Sequence, residues 1–275
     1  MSLGILIKGS EGVVLAADSR VTLFNQIPNP QVQGQIIVLP ASFDNATKLL
    51  KVTGQDYVGA VTYGLGAFIT PAGPRTMHSF IPEFEAQLKQ ADVGRLGVQD
   101  FAQRLSDFFL ERWNTLVGRP ANAGEEIVFL VGGYDEGASY GRAFLFLIPA
   151  QPIPAKQNAT DFGITWGGQS EVAFRLLYGY DGELLAFIRT QLGLTQAQVD
   201  TLTQQMRPRF DAGIPYQFLP LQDCVDLAVF LIRNTISFQQ FRTTVRGVGG
   251  PVQVATVTQA EGFQPLLARR ITAPA

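Results

Sequence analysis

The chain has 275 residues, enough for one large domain or two small ones, and its 21 Lys and Arg against 23 Asp and Glu leave a net charge of −2. That balance gives no electrostatic basis for binding nucleic acid or an anionic membrane. Charged residues make up only 16%, against about 25% in typical soluble domains, so part of the surface is expected to be covered by other subunits.

Residues 3–8 and 13–19 are apolar runs flanking Gly9-Ser10-Glu11-Gly12, which reads as a hairpin turn. Residues 23–47 contain Pro28, Pro30, Gly34 and Pro40 and read as a long loop, with a short strand at Ile36-Ile37-Val38. A strand pair is predicted at 49–52 and 57–62, then helices near 76–90 and 98–117. The second of these carries Val98, Phe101, Leu105, Phe108 and Leu116 at helical spacing. Strands are predicted at 126–132, 142–148 and 162–166, and helices over 170–188 and 221–240. Between those helices, Thr195-Gln196-Ala197-Gln198 matches a capping box and predicts a further short helix. A last strand, 252–258, precedes a tail rich in Pro and Arg. Strands, two helices, strands, two helices and a strand do not alternate as a parallel βαβ fold does. The order suits an α+β layered sandwich, with hairpin-built sheets covered by helix pairs. No repeat and no convincing linker divides the chain, which reads as one domain with insertions near 23–47 and 189–220 and a tail near 262–275.

Several chemistries are excluded. Cys224 is the only cysteine, which rules out an internal disulfide framework and fits a reducing compartment. His78 is the only histidine, so a Cys/His zinc site has no ligand set, and no metal is expected. Gly137-Ala138-Ser139-Tyr140-Gly141 matches a nucleophile elbow in letters, but it leads into a strand where the elbow needs a helix, and no histidine follows. Gly247, Gly249 and Gly250 precede a strand, so they form no phosphate loop. No apolar run approaches the roughly 18 residues of a membrane-spanning helix, and Lys8, Glu11 and Asp18 interrupt any signal-peptide core. The expected location is cytoplasmic.

The informative feature is the start, Met1-Ser2-Leu3. Methionine before a small residue is normally trimmed, which would give Ser2 a free α-amine. A hydroxyl is a weak nucleophile without a base, and an α-amine titrates near pH 8. One residue can therefore supply both nucleophile and base. A nearby lysine favours the neutral amine by charge repulsion, and an acid would hold that lysine. A turn centred on Ser10 and Glu11 puts Asp18 opposite Ser2 or Leu3. Lysines are scarce, and Lys48 begins the strand that follows a loop long enough to return beside the hairpin.

Gly12-Val13-Val14-Leu15-Ala16-Ala17-Asp18-Ser19-Arg20-Val21-Thr22 resembles the first hairpin of proteasome β-subunits and their bacterial relatives. The Ser2–Asp18 separation matches, without gaps, that between the family's nucleophilic threonine and its acid. Lys48 to Val52 resembles the family's lysine strand, and Gly59 to Gly64 the strand ending at its oxyanion-hole glycine. Glu126 to Gly133 and Gly249 to Thr258 resemble further core strands, and the start is most similar to Anbu-type homologues. The resemblance implies a four-layer αββα sandwich of the N-terminal-nucleophile (Ntn) hydrolase type. It implies a proteasome-like peptidase or amidohydrolase needing no cofactor and acting on peptide or related amide bonds. Ser2 would attack, Lys48 and Asp18 would tune its amine, Gly64 would stabilise the oxyanion and Ser170 would lend support. Val21, Ala46, Leu50, Thr62 and Gly66 would line the pocket beside the scissile bond. The expected assembly is a homo-oligomer (ring, stacked ring or spiral), with room for an unfoldase partner. Where the family carries a supporting Ser, Asp and Ser, this chain aligns Gly168, Val245 and Val248. Two rival readings therefore stay open: a catalytically silent shell or scaffold, and a small-molecule amidase.

Overall fold

The computed structural model describes residues 2–32, 34–122, 124–158, 161–243 and 245–267. Met1, whose removal the sequence suggests, and tail residues 268–275 lie outside the described residues. The fold is mixed α+β. One five-stranded sheet runs β12 (Gly163–Gly168), β1 (Leu3–Lys8), β2 (Val13–Ala17), β13 (Gln253–Thr258) and β14 (Gly262–Leu267). The other runs β11 (Gln151–Gln157), β10 (Arg142–Ile148), β9 (Ile127–Gly133), β6 (Val58–Gly64) and β5 (Leu49–Leu50). Two hairpins stand apart from these sheets: β3 (Val21–Pro28) with β4 (Ile36–Phe43), and β7 (Ala67–Thr70) with β8 (Gly73–Thr76). The helices are α1 (Ile81–Gln90), α2 (Val98–Leu116), α3 (Glu171–Tyr178), α4 (Gly182–Leu192), α5 (Gln196–Phe210) and α6 (Leu221–Gln239), with a 3-10 turn at Met77–Phe80.

Side-chain alternation along β1 explains why its run is continuously apolar. Leu3, Ile5 and Ile7 pack with Ala173 and Leu177 of α3 and with Ala228, Leu231 and Ile232 of α6. Leu6 enters a second core with Val61, Val128 and Leu130 of the other sheet. The outer face of that other sheet carries Phe129, Val131 and Phe146, which cluster with Phe84 of α1 and Phe101, Phe108 and Trp113 of α2. A strand buried on both faces has no use for the polar alternation of a half-exposed one.

Several elements differ from the sequence reading. The expected loop at 23–47 is largely the β3–β4 hairpin, and the expected tail opens with strand β14. The helix expected from 76 begins only at Ile81, because Thr76 closes β8 and the 3-10 turn intervenes. The helix expected over 170–188 is broken. Gly179 adopts φ +72 and ends α3, and Asp181 caps α4 by accepting the Leu184 N–H at 2.9 Å. Thr195 does form a capping box with Gln198, and the helix it starts is 15 residues long.

Candidate active site

The first hairpin turns through a Gly9 N–H bond to the Gly12 carbonyl at 2.9 Å, and its register pairs Gly4 with Ala17. Asp18 therefore emerges opposite Leu3, one residue from Ser2. Its carboxylate receives four donors: the Leu3 N–H at 3.0 Å and Lys48 Nζ at 2.7 Å on Oδ1, and the Arg20 N–H at 3.1 Å and Gly249 N–H at 3.0 Å on Oδ2. Lys48 Nζ also donates to Ser2 Oγ at 2.8 Å. Ser2, Asp18 and Lys48 are all buried, at 3%, 0% and 4% exposure. Burial holds the Lys48 ammonium below the usual lysine range, while the Asp18 carboxylate works in the opposite direction. An ammonium of lowered pKa held against a serine hydroxyl gives up its proton more readily than a solvated lysine does.

Ser2 and Lys48 open on a small cleft with a cavity volume of ≈ 20 Å³, room for about one water, and Asp18 lies buried behind them. Val21, Ala46, Thr62, Gly64 and Gly66 line the cleft, and so do Tyr63, Thr76 and Met77. Leu50 does not. Its register against Ala60 turns it into the core beneath α1 and α2, where it is fully buried. Gly64 has φ +94, and a Cβ there would lie 2.1 Å from the Glu126 carbonyl oxygen, so glycine is required where the cleft meets β9. Thr62 Oγ1 is buried without a hydrogen-bond partner among the described residues. Burial also raises the Tyr63 phenol well above its ordinary value.

Ser170 sits at the N-cap of α3 and does not line the cleft. The neighbour that reaches Ser2 is Gln169, whose backbone N–H donates to the Ser2 carbonyl at 2.7 Å. Gly168 has φ +92, with its Cβ direction only 1.9 Å from that same carbonyl oxygen, so a serine at 168 would not fit this backbone. Val248 is buried among the α3 and α6 side chains, and its N–H is held at 3.0 Å by Gln239 Oε1. Gln239 Nε2 in turn donates to Gln169 Oε1 at 2.9 Å. A chain of amides thus runs from the Ser2 carbonyl through Gln169 and Gln239 to the turn that binds Asp18.

Two further groups escaped the sequence reading. Arg20 grips Asp44 through Nε–Oδ1 at 2.5 Å and Nη2–Oδ2 at 2.7 Å, which holds Asp44 below the usual carboxylate range. Gln253, on β13, reaches the segment that carries Lys48. The only sequence signal for Gln253 is one amide at the head of an otherwise small and apolar strand, Gln253-Val254-Ala255-Thr256-Val257. Among the described residues, no group of three or more His, Cys, Asp and Glu is placed to hold a metal ion, and no helix is long and apolar enough to cross a membrane.

No family model and no curated protein matches the chain. A solved structure of Anbu (ancestral beta-subunit) from Yersinia bercovieri matches with a TM-score of 0.52 at 16% identity, covering 96% of this chain and 87% of that one. At that identity the likeness is one of fold. The chain has a proteasome β-subunit-like fold. Its Anbu-like path through nearly the whole length agrees with the resemblance read from the first hairpin.

Proposed function

We propose that this chain is a proteasome-like, self-assembling peptidase or amidohydrolase whose nucleophile is Ser2 after removal of Met1. The observation that carries the reading is the buried Lys48 amine, 2.8 Å from Ser2 Oγ and 2.7 Å from Asp18 Oδ1, at the mouth of a cleft. Ser2 Oγ adds to the amide carbonyl as its proton passes to the α-amine, and the Gly64 N–H stabilises the oxyanion. The tetrahedral intermediate then expels the amine, which takes that proton, and water hydrolyses the resulting ester. Lys48 disfavours protonation of the α-amine through its charge, and Asp18 holds Lys48 in place. The direct Lys48–Ser2 contact also favours a second reading, in which the neutral Lys48 amine itself accepts the Oγ proton.

The three apolar cores support a helix–sheet–sheet–helix arrangement, the αββα sandwich, in one domain that carries the β3–β4 hairpin and the α4–α5 region as insertions. The cleft has no charged lining residue but Lys48, which favours small uncharged side chains beside the scissile bond. Exposed Ile36, Phe43, Phe187, Leu192 and Phe241 support burial between copies in a ring, stacked ring or spiral. The replacement of the expected support by Gly168, Val245 and Val248 favours the rival reading, a silent shell protein.

Intact mass before and after treatment with a peptide epoxyketone tests the proposal, since that warhead captures a hydroxyl and the amine of the same terminal residue. One adduct on wild type, none on Ser2→Ala, and a mass lacking Met1 are expected. Retained methionine with no adduct would leave the shell protein as the better account.

A further inference from the structure

We propose that Gln253 is a positioning residue, and that its carboxamide sets the place of Lys48 by bridging the two sheets at the site. Gln253 is 5% exposed and heads β13, where its backbone pairs with Ala17, the residue before Asp18. Its side chain leaves that sheet and meets the segment leading into β5. Oε1 accepts the Lys48 N–H at 2.9 Å and, more weakly, the Leu49 N–H at 3.4 Å. Nε2 donates to the Ala46 carbonyl at 2.8 Å. One carboxamide thereby does for residues 46 and 48 what a neighbouring strand would do, offering an acceptor to one and a donor to the other.

The geometry gives this bridge a specific task. Asp18 belongs to the sheet of β1 and β2, while Lys48 belongs to the chain entering the other sheet, and β13 lies next to β2. The 2.7 Å ion pair therefore spans two separately built units, and its length depends on how they are held together. On the segment's outer side, the Thr62 N–H bonds to the Lys48 carbonyl at 3.0 Å, which ties Lys48 to its own sheet. Gln253 supplies the tie to the other. Ala46 and Lys48, the two residues it grips, both line the cleft. The charged and titratable groups facing Lys48 are Asp18, Arg20 and Asp44, with the Tyr63 phenol beside the cleft and, once Met1 is removed, the Ser2 α-amine. None lies on β13, so Gln253 acts on Lys48 through position rather than charge.

The consequence for catalysis rests on Ser2 being the nucleophile; the consequence for Lys48 itself does not. The chain has five lysines, so the ε-carbon resonances of lysine-labelled protein can be followed through a pH titration, and Lys48→Arg identifies the Lys48 signal. Wild-type Lys48 is expected to titrate below the ordinary value of about 10.4. Gln253→Leu removes both the acceptor and the donor of the carboxamide, and Gln253→Asn keeps them but stops one methylene short. Either change should loosen the Asp18 contact that raises the Lys48 pKa, move the Lys48 titration away from its wild-type position, and slow epoxyketone labelling of Ser2 by about a hundredfold, the scale of an ångström misplacement. Val254→Ala, a core cavity on the same strand, should move neither readout while lowering stability. If Gln253→Leu does not fold, Gln253→Asn decides the matter. Folded Gln253 variants with an unmoved Lys48 titration would overturn the proposal, as would a wild-type Lys48 that titrates at the ordinary value. A shifted titration in a protein that never reacts at Ser2 would sink the hydrolase reading and leave the bridge standing.

Discussion

The hairpin β1–β2 and the hairpin β3–β4 follow one another in the chain and differ in what holds them. The first has five paired positions and the second eight, so by backbone pairing alone the second is the better made. Yet every residue of β1 and β2 is buried, whereas on β4 Ile36 is 59% exposed, Val38 52% and Phe43 60%. An isolated two-stranded hairpin is marginal in water, and only the first is wedged between helices and a second sheet. The catalytic candidates sit where burial is complete. The apolar surface that another copy could cover sits where it is not. Ladder hydrogen bonds define a hairpin, but packing decides whether it can carry a site that tolerates no slack.

The sharpest test of this contrast is a pair of leucines. Leu15→Ala, in the core between the sheets, should cost about 2–5 kcal/mol by chemical denaturation, whereas Leu39→Ala, 47% exposed on β4, should stay within about 0.5 kcal/mol. Equal costs would break the comparison. Next in size is Gly168→Ala, which places a methyl against the Ser2 carbonyl at positive φ. A loss of about 1–3 kcal/mol is expected, together with slower reaction at Ser2. An unchanged melting temperature would mean that the β1–β12 edge is looser than described.

Lys48 supplies a test by pH. Because burial holds it below its unfolded value, the folded protein binds fewer protons than the unfolded chain between that lowered value and about 10.4. Stability should therefore rise with pH across that window and be flat with respect to Lys48 below it, and Lys48→Met should remove the rise. Denaturation midpoints from pH 7 to 10.5 would reveal it. The smallest effect is expected from Thr62→Val. Its hydroxyl is already buried without a partner among the described residues, so the change should be neutral or slightly stabilising. A loss above about 1 kcal/mol would place a bound water on that hydroxyl.

Apart from β7, the strands that escape a sequence reading share a residue type. Pro28 and Pro40 lie in β3 and β4, Pro74 in β8, Pro152 and Pro154 in β11 and Pro265 in β14. β11 and β14 are edges of the large sheets, where a missing N–H costs no ladder bond, and the small hairpins consist of edges alone. At 23–47 and in the tail, proline reads as loop where it marks the borders of sheets. Central strands such as β1 and β9 are plain in the sequence because both of their faces are apolar. The same division runs through the site. Ser2, Asp18 and Lys48 could be read from chain position, hairpin geometry and scarcity. Gln169, Gln239 and Gln253 could not, because an amide at the surface and an amide spliced between two backbones are the same letter. Leu50 was misplaced for want of the β5–β6 pairing and of the packing that buries it beneath α1 and α2.

The Arg20–Asp44 clamp sits at the base of the β3–β4 hairpin, just outside both of its strands. Ser19 Oγ reinforces it on the Asp44 carbonyl at 2.8 Å, and the Ala46 N–H bonds to the Ser19 carbonyl at 2.9 Å. The hairpin is thus a closed loop fastened at its neck, and opening it need not loosen Lys48 two residues beyond the fastening. In hydrogen-exchange terms, the amides of residues 21–43 should open as their own low-energy unit, while the Lys48 and Thr62 amides exchange only when the sheets themselves come apart. Such a hairpin can unfold, refold or settle against a neighbouring molecule without transmitting that motion inward, which lets one short stretch of chain be both adaptable and anchored.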